Sequence, residues 1–473
     1  MSRKDYKKLE KELILKKQSC WDVWSEIEQK KALVFSEGYK DFLNKAKTER
    51  ETVIVGIDML EKNGFKNIEN SKNLITGDKF YAVNRGKGLL AGIVGKKKLD
   101  KGFRLIMSHI DSPRLDLKVR PLYEDEQLAF FKTHYYGGIK KYHWPTIQLA
   151  LHGFVVLKNG RQVSFVIGED DTDPIFMITD LLPHLARRQM EKTLDKGIAA
   201  EELNILVGSI PVSDGDIKER VKLAVLEHLH DKYGIIEEDF YSAEVEAVPA
   251  AKARDLGFDR SLVAAYGQDD RICAWTSLEA ILSAKTVGQT QMIYWVDKEE
   301  VGSEGNTGAI SHYFENILTR LNVLLGNKNN ASELYKICEH SVALSSDVTA
   351  GFDPDYKDVH DHLNAARLGH GVAIERYTGH RGKSSTSEAR AEYMQKICNI
   401  FNKVGVKWQG AGLGKVDEGG GGTIAMFMAA RNMDIVDVGV PLFNMHAPME
   451  ISSKADIYSA YLAYESFFGI ENI

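Results

Sequence analysis

Beyond about residue 254 the apolar positions of this chain fall into two alternating periods. Short apolar runs bounded by charge or glycine predict strands at 262–266, 292–296, 342–345, 372–376 and 435–438. Between them, apolar residues three or four apart predict helices at 272–284, 307–324, 384–404, 423–431 and 452–468. Strands alternating with helices of this length predict an α/β sheet covered on both faces.

Upstream the pattern differs. To about residue 62, Leu9, Leu13, Trp21, Trp24 and Ile27 recur at roughly helical spacing amid charge, which predicts helices with the two tryptophans in a core. Residues 79–118 read as β-rich. From 119 to 253 the runs at 153–157, 163–167 and 203–207 predict short strands and 174–190 and 216–231 predict helices. This stretch reads as a domain inserted into a fold formed by 1–118 and 254–473.

The chemistry gathers where predicted strands end. Glu299 and Glu300 follow Met292-Ile293-Tyr294-Trp295, and two adjacent carboxylates need a cation to offset their repulsion. One can ligate a metal while its neighbour acts as general base. His109 follows Leu105-Ile106-Met107 with Asp111 two residues on, a spacing that lets the acid accept from one imidazole nitrogen and orient the other. Asp269 and Asp270 follow 262–266 and precede a helix, where an N-cap is the structural alternative. Asp347 ends Val342-Ala343-Leu344-Ser345-Ser346, and His446 lies shortly after 435–438. The carboxyl ends of strands are where open α/β sheets build their sites. Two His, two Asp and a Glu, with one further Glu free, suit a pair of Zn²⁺ ions, with Mn²⁺ or Co²⁺ as substitutes.

Composition narrows the class. With 473 residues, 44% hydrophobic and 27% charged, the chain reads as an ordinary globular protein of two or three domains. A net charge of −6 gives no general electrostatic reason to bind nucleic acid or anionic membrane. The first apolar patch, Leu13-Ile14-Leu15, is short and flanked by lysines, so neither a signal peptide nor a membrane span is expected. Cys20, Cys273, Cys338 and Cys398 lie far apart, which predicts no disulfide framework and no cysteine zinc site. The cytoplasm is the expected compartment. Glu418-Gly419-Gly420-Gly421-Gly422-Thr423 lacks both P-loop and dinucleotide spacing and reads as a tight turn lining a substrate pocket. Tyr135 to Trp144 mixes aromatics and cations and reads as loop or interface packing.

S-H-I-D-S-P, the D-D after a strand, D-K-E-E-V-G-S, S-S-D and N-M-H-A-P-M-E occur in an order and spacing that resembles the M18 family of zinc aminopeptidases, aspartyl aminopeptidase among them. The resemblance runs from about His109 to the last helix and takes in Leu182-Pro183-His184-Leu185-Ala186 and Gly422-Thr423-Ile424. It implies a central mixed β-sheet flanked by helices, of the zinc-exopeptidase type, with an inserted β-rich dimerisation domain. It further implies that Asp269, chosen over Asp270 by its spacing to Leu278 and Ala280, bridges two zinc ions. His109 and Asp347 would complete one metal, Glu300 and His446 the other. Glu299 would be the general base, Asp111 the partner of His109, and His184 a residue reaching a neighbouring subunit's active site. The implied partners are peptides with a free N-terminus and further copies of the chain, as dimers gathered into a closed shell such as a dodecamer.

Related dizinc deacylases or carboxypeptidases use similar ligands, and a catalytically silent assembly or cargo protein could keep the fold; the presence of Glu299 speaks against the last. Aspartyl-type relatives resemble D-M-A-H-A-x-H-P-N-Y after the metal-binding Asp and carry a lysine soon after the next aliphatic strand. This chain instead has Asp347-Val348-Thr349-Ala350-Gly351-Phe352-Asp353-Pro354-Asp355-Tyr356 and Ala373-Ile374-Glu375-Arg376. The expectation is that neutral or basic N-terminal residues are preferred to Asp or Glu.

Overall fold

A strand covered on both faces carries apolar residues without alternation, and the run beginning at Met292 behaves this way. In the computed structural model, which describes residues 6–285, 288–328 and 330–470, Met292, Tyr294 and Val296 pack on one side with Leu105, Met107 and the helix Tyr313–Leu324. Ile293 and Trp295 pack on the other, beside Ile106 and the helices Glu26–Lys45, Gln268–Ser283 and Lys454–Gly469.

These strands belong to a nine-stranded mixed sheet. Its order is Lys66–Asn67, Lys79–Val83, Leu89–Ile93, Thr290–Val296, Phe103–His109, Val342–Ser345, Asp434–Gly439, Val372–Glu375 and Trp408–Gly410. Thr290–Val296, Phe103–His109, Val342–Ser345 and Asp434–Gly439 run parallel, with Val296 level with His109 and Ser345 level with Met107. The three strands followed by His109, Glu299 and Asp347 therefore end along one edge.

A seven-stranded antiparallel sheet, built wholly between Arg114 and Pro249, has its own apolar core under the helix Arg220–Tyr233. Its first strand, Arg114–Asp125, begins before residue 119 and turns back through Glu126 and Gln127 into Leu128–Tyr136. Positive φ at both turn residues, +47° and +59°, matches the twist a two-residue hairpin needs. The register sets Arg114 opposite Tyr136, so the hairpin returns to the point it left. A third, five-stranded sheet holds Arg254–Leu256, Leu262–Ala265, Glu450–Ser453, Pro441–Phe443 and Thr349–Ala350.

Several elements depart from the periodicity. The run at 262–266 is not in the central sheet but in the five-stranded one. No helix spans 174–190: Met177–Ile178 is an edge strand and only Arg187–Met190 forms a helical turn. Pro183 interrupts the pattern, and Leu181, Leu182 and Leu185 remain exposed, so no apolar face was available to bury. The helix expected from 307 starts at Tyr313, because the Thr307 hydroxyl bonds Asp297 at 2.7 Å and its carbonyl accepts from Asp297 N, drawing this stretch onto the loop after Val296. The helix expected from 384 starts at Ala391, since Ser384 and Glu388 pair with His380 and Tyr377 instead. The helix at 423–431 contracts to Ala425–Ala429.

Candidate metal centre

The site forms where the edge of the nine-stranded sheet meets the turns of the five-stranded one. From the large sheet come His109 at a strand end, Asp347 two residues past Ser345, and the Glu299–Val301 turn. Lys298, at φ +73°, bends the chain so that Glu299 and Glu300 both turn back toward His109. From the small sheet come Asp269 and His446. Gly267 (φ +66°) turns the chain out of Leu262–Ala265, and His446 (φ +67°) sits in the turn between Pro441–Phe443 and Glu450–Ser453. The backbone is non-helical at Asp269 (φ −79°, ψ 109°), and the Asp269 carboxylate faces two imidazoles rather than helix amides.

The carboxylate of Asp269 divides between two imidazoles. Its Oδ1 lies 3.1 Å from His109 Nε2 and its Oδ2 3.2 Å from His446 Nε2. Asp347 Oδ1 is 3.7 Å from His109 Nε2, Glu300 Oε2 3.4 Å from His446 Nε2, and Glu299 Oε2 3.9 Å from His109 Nε2. Asp270 also approaches His109 and Asp347. Each histidine has its other nitrogen against a carbonyl oxygen, His109 Nδ1 at 3.0 Å from Asp111 and His446 Nδ1 at 2.8 Å from Gly138. A carbonyl only accepts, so Nδ1 carries the proton and Nε2 keeps its lone pair for a metal.

Asp111 does more than the His-x-Asp spacing foresees. Its main-chain carbonyl, not its carboxylate, is the nearer acceptor for His109. The carboxylate accepts from the backbone N–H of Glu299 at 3.1 Å, of Glu300 at 3.2 Å and from the Tyr136 hydroxyl at 2.8 Å. Glu450, which the sequence reading left without a role, is buried; Oε2 accepts from Asp269 N at 3.1 Å and Oε1 from His446 N at 2.8 Å, tying the two small-sheet residues together. Ser112 donates to the Asp269 carbonyl at 2.6 Å.

The electrostatics require a cation. Asp111, Asp269, Asp270, Glu299, Glu300, Asp347 and Glu450 crowd two imidazoles, and among the described residues the buried Glu300 Oε1 has no hydrogen-bond partner while the buried Asp270 carboxylate faces the Cys273 thiol. Burial, then the charges of Asp347, Asp111 and Asp269, raise the Glu299 carboxyl against the pull of His109. Burial and the Asp269 charge raise Glu300. Burial disfavours charge on His446, yet its bond to Asp269 and the Glu300 charge raise it. Divalent ions would relieve this crowding, and mixed nitrogen and oxygen donors fit zinc. The two glutamates differ in access: Glu299 exposes 20% of its side chain and Glu300 only 3%.

The sequence model of the Aminopeptidase I zinc metalloproteases (M18) matches residues 42–468. This chain belongs to the M18 family. It is a zinc-dependent aminopeptidase, a hydrolase of peptide bonds. It is 50% identical to a probable M18 family aminopeptidase 1 of Clostridium acetobutylicum, over 96% of this chain and 99% of that one. A Thermotoga maritima protein of the same description is 47% identical, over 94% and 98%. The crystal structure of an M18 aminopeptidase from Thermotoga maritima superposes with a TM-score of 0.93 at 46% identity, over 96% of this chain and all of that one. More distant structures, about a fifth identical, share the fold alone. Among the described residues of the aminopeptidase no helix is long and apolar enough to cross a membrane.

His184 is exposed in the irregular stretch before Arg187–Met190 and takes no part in the cluster of its own chain. The glycine-rich stretch packs on a neighbouring loop, with Gly379 N donating to Gly421 O at 2.6 Å, while Thr423 bonds Asp437 at 2.7 Å.

Proposed function

We propose that the aminopeptidase holds two zinc ions, bridged by Asp269, with His109 and Asp347 completing one position and Glu300 and His446 the other. The observation that carries this reading is the division of the Asp269 carboxylate between the two histidines. Among the described residues Asp270 is grouped with one imidazole, that of His109. Mn²⁺ or Co²⁺ would suit the same donors. When bound, the metals supply Lewis-acid polarisation of a peptide carbonyl and of water.

The residues do the rest. Glu299, the more open of the two acids, takes a proton from the attacking water and returns it to the leaving amine. Asp111 fixes the proton on His109 Nδ1 through its carbonyl and holds the Glu299–Glu300 backbone through its carboxylate. Zinc analysis, with hydrolysis of aminoacyl-4-nitroanilides and their N-acetylated forms, tests the reading: cleavage should need both zinc and a free amine. Release of acetate from the acetylated forms, with the anilide bond left intact, would favour the deacylase reading.

Residues 119–253 are proposed as a dimerisation module that brings His184 to a partner's site, and dimers as the unit of a larger shell. The exposed Leu181, Leu182 and Leu185 around His184 support an intermolecular role, and one fold neighbour, from yeast, is described as a dodecamer. Mixing inactive Glu299→Gln with inactive His184→Ala subunits should restore activity; verified mixed oligomers without activity would sink the shared site. The cytoplasm is the proposed compartment.

For substrate, neutral or basic N-terminal residues are proposed. Glu375 is buried beside Asp437 in the sheet register and accepts from the Thr349 hydroxyl, while Arg376 and Lys383 are engaged by Glu388 at 3.2 and 3.1 Å.

A further inference from the structure

We propose that Tyr136-Gly137-Gly138, the returning end of the first hairpin of the seven-stranded sheet, is a positioning element for both halves of the metal centre. It rests on the ligand assignment above, and none of the three residues is a ligand.

Each makes a separate contact. The Tyr136 hydroxyl donates to Asp111 Oδ2 at 2.8 Å, the oxygen that also accepts from Glu300 N. The phenol ring is held, with the Arg114 guanidinium 4.0 Å from its centroid, and only 8% of the residue is exposed. Gly137, at φ +72°, passes Glu300 so closely that a Cβ there would lie 3.2 Å from Oε2 and 3.3 Å from Cβ of that glutamate. The Gly138 carbonyl accepts from His446 Nδ1. One short segment thus steadies the acid that holds the Glu299–Glu300 turn, limits the travel of Glu300, and fixes the ring of His446. Hydrogen-bonding partners behind metal ligands commonly matter 10- to 100-fold in affinity or activity.

Each contact predicts a separable result. Tyr136→Phe keeps the ring and removes one donor from Asp111. It should fold with near wild-type thermal stability and bind zinc to the same stoichiometry, while kcat falls about 10-fold or more and KM changes less than about twofold. Gly137→Ala should release zinc to a chelator at least ~10-fold more readily, with loss beginning at one of the two positions. Tyr135→Phe, the exposed neighbour, should match wild type. The proposal fails if Tyr136→Phe has wild-type kcat and Gly137→Ala wild-type zinc retention. It fails too if Tyr136→Phe loses activity only in proportion to lost folded protein, which would make the hydroxyl merely structural. Zinc retention is read without turnover, so a wild-type chain that cleaved no aminoacyl amide would count against the residue roles above and leave retention to decide this proposal.

Discussion

The two sheets that meet at the candidate metal centre present the proposed ligands by different means. On the nine-stranded sheet, His109, Glu299 and Asp347 follow parallel strands whose register places them along one edge, and His109 is almost wholly enclosed. On the five-stranded sheet, Asp269 and His446 sit at tight turns with positive φ at Gly267 and His446, and 32% of the His446 side chain is exposed. In the first half, backbone ladders align the strands, and Asp111 holds the Glu299–Glu300 turn and the His109 ring. The second depends on single contacts: Glu450 accepting from two backbone amides, Gly138 accepting from one imidazole. The two sides thus differ in exposure and in what ties them together: an enclosed His109 backed by Asp111, and a half-buried His446 backed by Glu450 and Gly138.

The largest effect belongs to the nine-stranded side. Glu299→Gln should keep its zinc and lose kcat by ~10² to 10⁴, the scale of general-base catalysis; a variant that instead lost zinc and kept turnover would reverse the roles of Glu299 and Glu300. The comparison itself is tested by the two histidines. His446→Ala should lower zinc affinity by ~10²-fold at one position, leaving about one ion per chain and an intact fold, whereas His109→Ala should lose zinc and also melt earlier. Equal stoichiometry and equal melting temperatures would erase the distinction. Next comes specificity: kcat/KM for N-terminal Leu, Met or Lys should exceed that for Asp or Glu by about 10-fold, and the reverse order would show an acidic pocket built from other residues.

The smallest effect lies away from the centre, where the helix Glu49–Lys62 meets the seven-stranded sheet. Burial disfavours charge on His152, but its bonds to Glu169 at 3.2 Å and Glu51 at 2.6 Å outweigh that and raise its pKa. A raised folded pKa adds stability that is complete below the unfolded value of about 6.5 and is lost as pH climbs through the folded value. The melting-temperature gap between wild type and His152→Gln should therefore be widest near pH 5.5 and narrow toward pH 9. A pH-independent gap would mean the ring contributes packing alone.

What could be read from sequence follows the same division. His109 and the Glu299–Glu300 pair stand at the ends of long apolar runs, and such runs announce a buried parallel strand. The run at 262–266 carries no mark of which sheet it will join, because five apolar residues look alike in either; its pairing with Glu450–Ser453 on one side and Arg254–Leu256 on the other decides it. In sequence Tyr136 and Gly138 look like loop or interface packing, because their contacts with Asp111 and His446 arise from hairpin register and from a residue 308 positions away. Glu450 was visible in its motif, but nothing local reveals that its two oxygens bind two different backbones.

The hairpin that leaves the site after Pro113 and comes back at Tyr136 bears on modularity. A chain with a short linker in place of 119–253 would retain every proposed ligand and the proposed base. It would lack the acceptor for His446 Nδ1 and one of the donors to Asp111. The seven-stranded sheet is thus no detachable appendage. Its first hairpin carries two of the contacts behind the proposed ligands, so the inserted sheet and the part that bears those ligands complete the centre together.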